Sequence, residues 1–212
     1  MVAGMFLSLW LVADTFAADA NKPHEHQGIV PAYKGAPPAL SLSASELATL
    51  QSGSMVLKQV AIPGAAGGRG VAIMDIRASV ATIWSKVTAY ARYPEWVENV
   101  TACGNYRVSG NEMYTRFLLN VMHMDVEYFI HHSYHPEANY LTWTLDYSRN
   151  SDLDDSIGYW RVTPLTTEPA LSRLEYSVDI RFKGWIPGFV QDMIAKKGLS
   201  SATSWVKKQS ER

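Results

Sequence analysis

Apolar and polar side chains alternate most clearly in the last extended stretch, residues 171–182. Leu174, Tyr176, Val178, Ile180 and Phe182 fall on one side of an extended chain, and Arg173, Glu175, Ser177, Asp179 and Arg181 on the other. A period of two predicts a strand with one apolar and one wet face, as in an antiparallel sheet covered on a single side. The same period recurs over residues 102–108, 112–122, 124–135, 140–147 and 156–163, with Gly110-Asn111 and Pro136-Glu137-Ala138-Asn139 as turns. Upstream, residues 55–62 and 70–78 read as a hairpin around Pro63-Gly64 and Gly67-Gly68. Between these two groups the period lengthens. Ser79 is a suitable N-cap, and Val80, Ile83, Trp84 and Val87 follow at helical spacing. A second short helix is predicted at Pro94, with Tyr93, Trp96, Val97 and Val100 around it.

The chain closes on one long helical pattern. It opens at Trp185-Ile186-Pro187-Gly188 and runs past Trp205. Val190, Met193 and Ile194 share one face; Leu199, Ala202 and Val206 share another, and Gly198 between them predicts a kink. The fold class that follows is α+β, a curved antiparallel sheet wrapped around a long C-terminal helix.

The first fifty residues read differently. Residues 5–13 are a mostly apolar run, short of the about 20 residues needed to span a bilayer. Small residues follow, so residues 1–20 read as a signal peptide cut after Ala17 or Ala20, although no Lys or Arg precedes the run. A secreted or periplasmic protein is expected, and a soluble intracellular one if that reading fails. Residues 21–53 hold Pro23, Pro31, Pro37, Pro38, Gly28 and Gly35 and then a capped segment from Ser43, which reads as a linker and a short helix. Residues 54–212 form the folded domain.

Composition narrows the classes. Hydrophobic residues make up 47% and charged residues 18%, which is globular, and a net charge of -1 offers nucleic acid no attractive field. Seven Trp and eleven Tyr must line a core or a cavity. The single Cys103 cannot form an intrachain disulfide and reads as a buried, inert thiol.

Certain segments, taken in order, resemble a known superfamily. They are residues 84–90, Trp-Ser-Lys-Val-Thr-Ala-Tyr, and residues 93–100, Tyr-Pro-Glu-Trp-Val-Glu-Asn-Val. Further on come residues 158–164, Gly-Tyr-Trp-Arg-Val-Thr-Pro, and residues 185–190, Trp-Ile-Pro-Gly-Phe-Val. The order resembles the helix-grip superfamily of START-like lipid-transfer domains, nearest its coenzyme Q-binding and polyketide-cyclase-like branch. The resemblance covers residues 54–210. It implies a deep pocket between sheet and last helix, in which relatives hold sterols, phospholipids, quinones or polyketides; most carry or sense the ligand and some catalyse. Residues 151–156, an acidic stretch without a family role, read as a rim loop.

Chemistry outside such a pocket is poorly supplied. His24 and His26 lie in the linker, His131 and His132 point to opposite faces of one strand, and no cysteine assists, so no metal site is expected. No Gly-x-Ser-x-Gly elbow occurs, and the Gly-Gly-Arg-Gly at residues 67–70 lacks the Lys-Ser/Thr tail of a phosphate loop. Asp125, Glu127, Asp146 and Tyr128 could serve acid–base work, while Glu175, Asp179 and Arg181 should face water. The reading is a protein that binds and transfers its ligand, with no cofactor expected. The partner is a hydrophobic small molecule, with transient membrane contact and no nucleic acid; a cyclase or aromatase in the same cavity is the alternative. Its lining is expected from Trp84, Trp96, Phe117, Leu119, Val121, Trp143 and Leu145 in the first half. Trp160, Tyr176, Val178, Ile180, Phe189, Val190 and Met193 complete it in the second. Arg116 and Tyr176 are its candidate polar groups and Trp185 and Ile186 its candidate gate at a membrane. Lys196, Lys197, Lys207, Lys208 and Arg212 would favour an anionic surface, or simply solvate a helix.

Overall fold

The computed structural model describes residues 18–61, 67–121, 123–184 and 198–212. Eight strands form one antiparallel sheet in the order β1-β2-β8-β7-β6-β5-β4-β3. They are β1 (Val56–Ala61), β2 (Gly67–Ile76), β3 (Val100–Ser109), β4 (Glu112–Val121), β5 (Met124–His135), β6 (Tyr140–Leu145), β7 (Leu153–Thr167) and β8 (Ala170–Phe182). The last six form a meander, and β8 returns to pair with β2 along residues 67–76. The sheet is open and curved, with register shifts in β3 and β7, and the whole is the expected α+β helix-grip arrangement.

Every strand predicted from alternation is present, within a few residues at each end. The acidic stretch is the exception. Residues 153–156 are not a rim loop but the start of β7, and Asp155 there is fully buried.

Among the described residues four α-helices accompany the sheet: α1 (Ala44–Gln51), α2 (Val80–Val87), α3 (Tyr93–Trp96) and α4 (Leu199–Ser210). Ser43 caps α1 in a capping box with Glu46, and Ser79 caps α2 through the Thr82 amide. α2 turns Ile83, Trp84 and Val87 inward, and the connection through α3 carries the chain to β3 at the far edge of the sheet. α4 buries Leu199, Thr203, Trp205 and Val206 against β2 and α2. A Cβ on Gly70 would lie 3.1 Å from Leu199, so the small residue lets the helix sit close. Gly198 itself is helical (φ -56°, ψ -43°); the residues on its far side, where a kink would show, lie outside the described ones.

The two faces of the sheet are covered differently. The concave face carries the main core, with Met74, Ile83, Trp84, Leu141, Trp143, Trp160, Leu174 and Trp205 among its members. The convex face was expected to be wet, and over β2, β7 and β8 it is not. Residues 18–42, irregular as their composition indicates, lie along it as a strap. Asp19 bridges Asn150 through paired backbone bonds of 2.9 and 3.0 Å. Asp155 accepts from the amides of Ile29 and Val30, each at 2.8 Å, and from the Tyr147 hydroxyl at 2.8 Å. The Arg161 guanidinium donates to the carbonyls of Pro37 and Pro38. Consequently Glu175 and Ser177 are buried and Asp179 and Arg181 half-buried, paired with each other. Alternation identified the side facing away from the core but could not show what covers it.

Candidate functional site

The concave face divides into a sealed end and an open end. At the sealed end aromatic rings interlock. Trp205 stacks on Trp96 (5.8 Å between ring centres) and meets Tyr93 edge-on (4.7 Å), while Trp84 tilts onto Tyr134 (4.9 Å). Leu145 is 1% exposed and Trp84 5%. These side chains fill core.

Toward the other end the apolar surface stays half-exposed. β8 contributes Tyr176, Val178, Ile180 and Phe182, β4 contributes Leu119 and Val121, and β5 contributes Val126 and Tyr128. Behind them stand three ring contacts: Phe117 stacks flat on Tyr128 (5.1 Å), Trp143 on Tyr176 (5.5 Å), and Trp160 tilts onto Tyr176 (4.3 Å). Trp143 is held by its indole N–H on Ser156 Oγ at 3.3 Å and lies directly over Gly158. The structure therefore gathers the expected lining residues of the sheet on one concave surface. Phe189, Val190 and Met193, with the gate residues Trp185 and Ile186, lie outside the described residues.

Few polar groups reach this surface, and among the described residues none is charged. Tyr128 and Tyr176 have no hydrogen-bond partner among the described residues. Burial pushes both phenols well above their ordinary pKa, so both remain neutral donors. Cys103, on the inward side of β3, is pushed up to about 12 by burial. His132 is buried under Tyr90, which stacks on it at 4.9 Å. Thr115 donates to Asn105 Oδ1 at 2.7 Å and lies 3.3 Å from His132 Nδ1, so it can only accept from that ring, which places the imidazole proton on Nδ1. Desolvation drops the His132 pKa to about 3. Tyr90, Tyr93 and His132 were missed in the sequence; His132 was signalled only by its position opposite His131 on the strand.

The remaining predicted groups lie elsewhere. Arg116, expected inside, is exposed on the other side of β4 and ion-paired with Glu127. It cannot act with Tyr176, because adjacent strand positions point to opposite faces. Asp125 bonds Asn120, and Asp146 takes the Tyr106 hydroxyl at 2.6 Å. Lys207 is tied to the carbonyls of Asp75 and Gly53 at 2.7 and 3.1 Å.

His24, His26 and Asp154 come together on the strap, with candidate ligand atoms all within 4.8 Å. Their hydrogen bonds argue for protons there. The Nδ1 atoms accept the amides of Ser151 (3.4 Å) and Gly28 (3.0 Å), so the protons reside on the Nε2 atoms, which face the Asp154 carbonyl and carboxylate. A metal on either Nε2 would require that proton to move to an Nδ1 already facing an N–H. The trio is a clasp that fastens the strap to β7.

Comparison with known proteins followed the same outline. The family model described as polyketide cyclase / dehydrase and lipid transport matches residues 71–204. A search of curated protein sequences found no match. Among solved structures, a STAR-related lipid transfer protein from Xanthomonas axonopodis superposes with a TM-score of 0.63 at 10% identity, over 82% of this chain and 98% of that one. The Zhui aromatase/cyclase from Streptomyces sp. R1128 gives 0.58 at 10% identity, over 74% and 95%. A START superfamily protein from Mycobacterium smegmatis gives 0.54 at 19% identity, over 74% and 97%.

Proposed function

Since this chain belongs to the polyketide cyclase / dehydrase and lipid transport family, we propose that it binds an uncharged hydrophobic small molecule against the concave face and transfers it. The observation that carries this reading is the partly exposed apolar surface of β4, β5 and β8, which includes two phenols without a hydrogen-bond partner among the described residues. Covering such a surface with an apolar guest is worth about 25 cal/mol per Å² removed from water. A charged head would enter without a counter-ion among the described wall residues, and that desolvation is costly.

Catalysis is the weaker reading. A general acid or base works best with a pKa near the working pH. Here the imidazole is held neutral down to about 3, and the thiol stays protonated up to about 12. The aromatase/cyclase likeness favours a ring-closing role, but among the described residues the wall offers groups that hold a substrate and none with a pKa shifted toward neutrality.

Purified protein extracted with organic solvent should release a bound apolar compound, and its tryptophan emission should change saturably on titration with neutral lipids, sterols or quinones. A clean extract with no response across such a panel would refute the proposal. We place the gate at Trp185 and Ile186, so Trp185→Ser should slow ligand transfer between liposomes without lowering affinity; an unchanged rate would remove the gate.

Export is consistent with the strap. Cleavage after Ala17 retains the Asp19–Asn150 bridge, whereas cleavage after Ala20 removes it. We expect the mature chain to begin at Ala18, which intact mass of the secreted protein would check.

A further inference from the structure

A second cleft lies on the opposite face of the sheet, apart from the proposed ligand surface. It encloses about 250 Å³ between the strap and the sheet. Val30, Pro31, Tyr33 and Pro38 form its roof, and Arg69, Ile157 and Asp179 its floor. We propose that this cleft is a binding site for a small organic monocarboxylate with an apolar body.

The charge pattern of the floor carries the argument. Arg69 stands directly across from Asp179 in the β2–β8 register and its charge acts on that carboxylate, but the two make no direct ion-pair contact. Asp179 is taken by Arg181 instead. The nearby acids are also committed: Asp155 to two strap amides and Tyr147, Glu175 to Arg161 at 3.6 Å. Among the described residues Arg69 makes one hydrogen bond, a long one from Nε to Ser177 Oγ at 3.4 Å. Its terminal nitrogens therefore keep their donors. A half-buried guanidinium with an unused planar edge matches a carboxylate in two parallel bonds.

The rest of the cleft selects the body of the ligand. A valine, an isoleucine, two prolines and a tyrosine face it, so a phosphate would find one cation and an apolar roof where it needs several donors. A cleft of about 250 Å³ lies at the low end of small-molecule sites, which suits a benzoate or a short fatty acid better than a long chain. The roof is fixed before any ligand arrives. Asp155 holds it at Ile29 and Val30, Arg161 holds it at Pro37 and Pro38, and Tyr33 packs edge-on against Tyr159 at 5.4 Å. Such preorganisation lowers the ordering cost of binding.

Benzoate and hexanoate, titrated into the full chain, should give saturable shifts of the Ile157 methyl and Arg69 guanidinium resonances. Benzamide, the neutral isostere, should give none. Arg69→Gln should weaken benzoate by about tenfold or more, and Val30→Trp, which fills the cleft from the strap, should abolish the response. Equal binding of benzamide, full affinity in Arg69→Gln, or no saturable response would overturn the proposal. Should Arg69→Gln fail to fold, undiminished benzoate binding in Val30→Trp would overturn it as well.

Discussion

At Gly158 a Cβ would meet Trp143 Cζ2 at 2.1 Å and the Ser177 carbonyl at 2.4 Å. The indole cannot withdraw freely, since its N–H is held by Ser156 and its ring by Tyr176. Gly158→Ala should therefore cost about 1–3 kcal/mol or more, as overpacking does, and a urea melt would measure it. The Gly-Tyr-Trp segment that carried the family resemblance thus has a steric reason in this chain. Tyr176 sits beside it with a different sensitivity. Its hydroxyl has no described partner, so Tyr176→Phe should leave the melting temperature within about a degree while weakening a ligand that hydrogen-bonds there by about 1 kcal/mol. A large loss of stability would show that the hydroxyl serves the protein instead. Both residues could be put on the inward face from alternation, but their opposite tolerances depend on a neighbour one strand away.

The strap shows the same division among elements. Its proline and glycine content correctly indicated irregular chain. Its attachment depends on single side chains of β7, above all Asp155, which composition assigned to a surface loop. Asp155→Ala would leave two strap amides and the Tyr147 hydroxyl without their acceptor, a loss of about 2–4 kcal/mol. Hydrogen exchange should accelerate first at Ile29 and Val30, with β4 and β5 unchanged; uniform acceleration would mean that the strap and sheet open together. The strands were legible because each repeats a period of two over many residues, and α2 because its cap and its 3.6-residue face coincide. The polar row of β8 was misread as wet, since a charged residue facing water and one facing a partner on another segment have the same sequence.

For the molecule as a whole, acid is the informative variable. His132 has its pKa depressed from 6.5 to about 3 by burial, and His24 is lowered in the same direction for the same cause. Below pH about 6.5 the unfolded chain therefore binds a proton at His132 that the folded chain refuses. Above that value His132 contributes no pH dependence. Stability declines as pH falls through the window between 6.5 and about 3, by up to about 1.4 kcal/mol per pH unit for this one group. Urea melts at pH 7 and pH 5 should show the decline, and His132→Gln should flatten it. An equal slope in the variant would assign the effect to His24, whose pKa burial also lowers.

The sequence by itself determined the number of strands and their order along the chain, the inward set of each, the two small helices and the family, because these rest on local periodicity and on motifs held in fixed order. Tertiary structure decided which inward residues seal the core and which stay open to a guest, and it turned a presumed tether into a roof over the convex face. It also set Arg116 outside and His132 within. Those distinctions depend on what each side chain meets across the sheet, between residues far apart in sequence, and local patterning contains no record of that meeting.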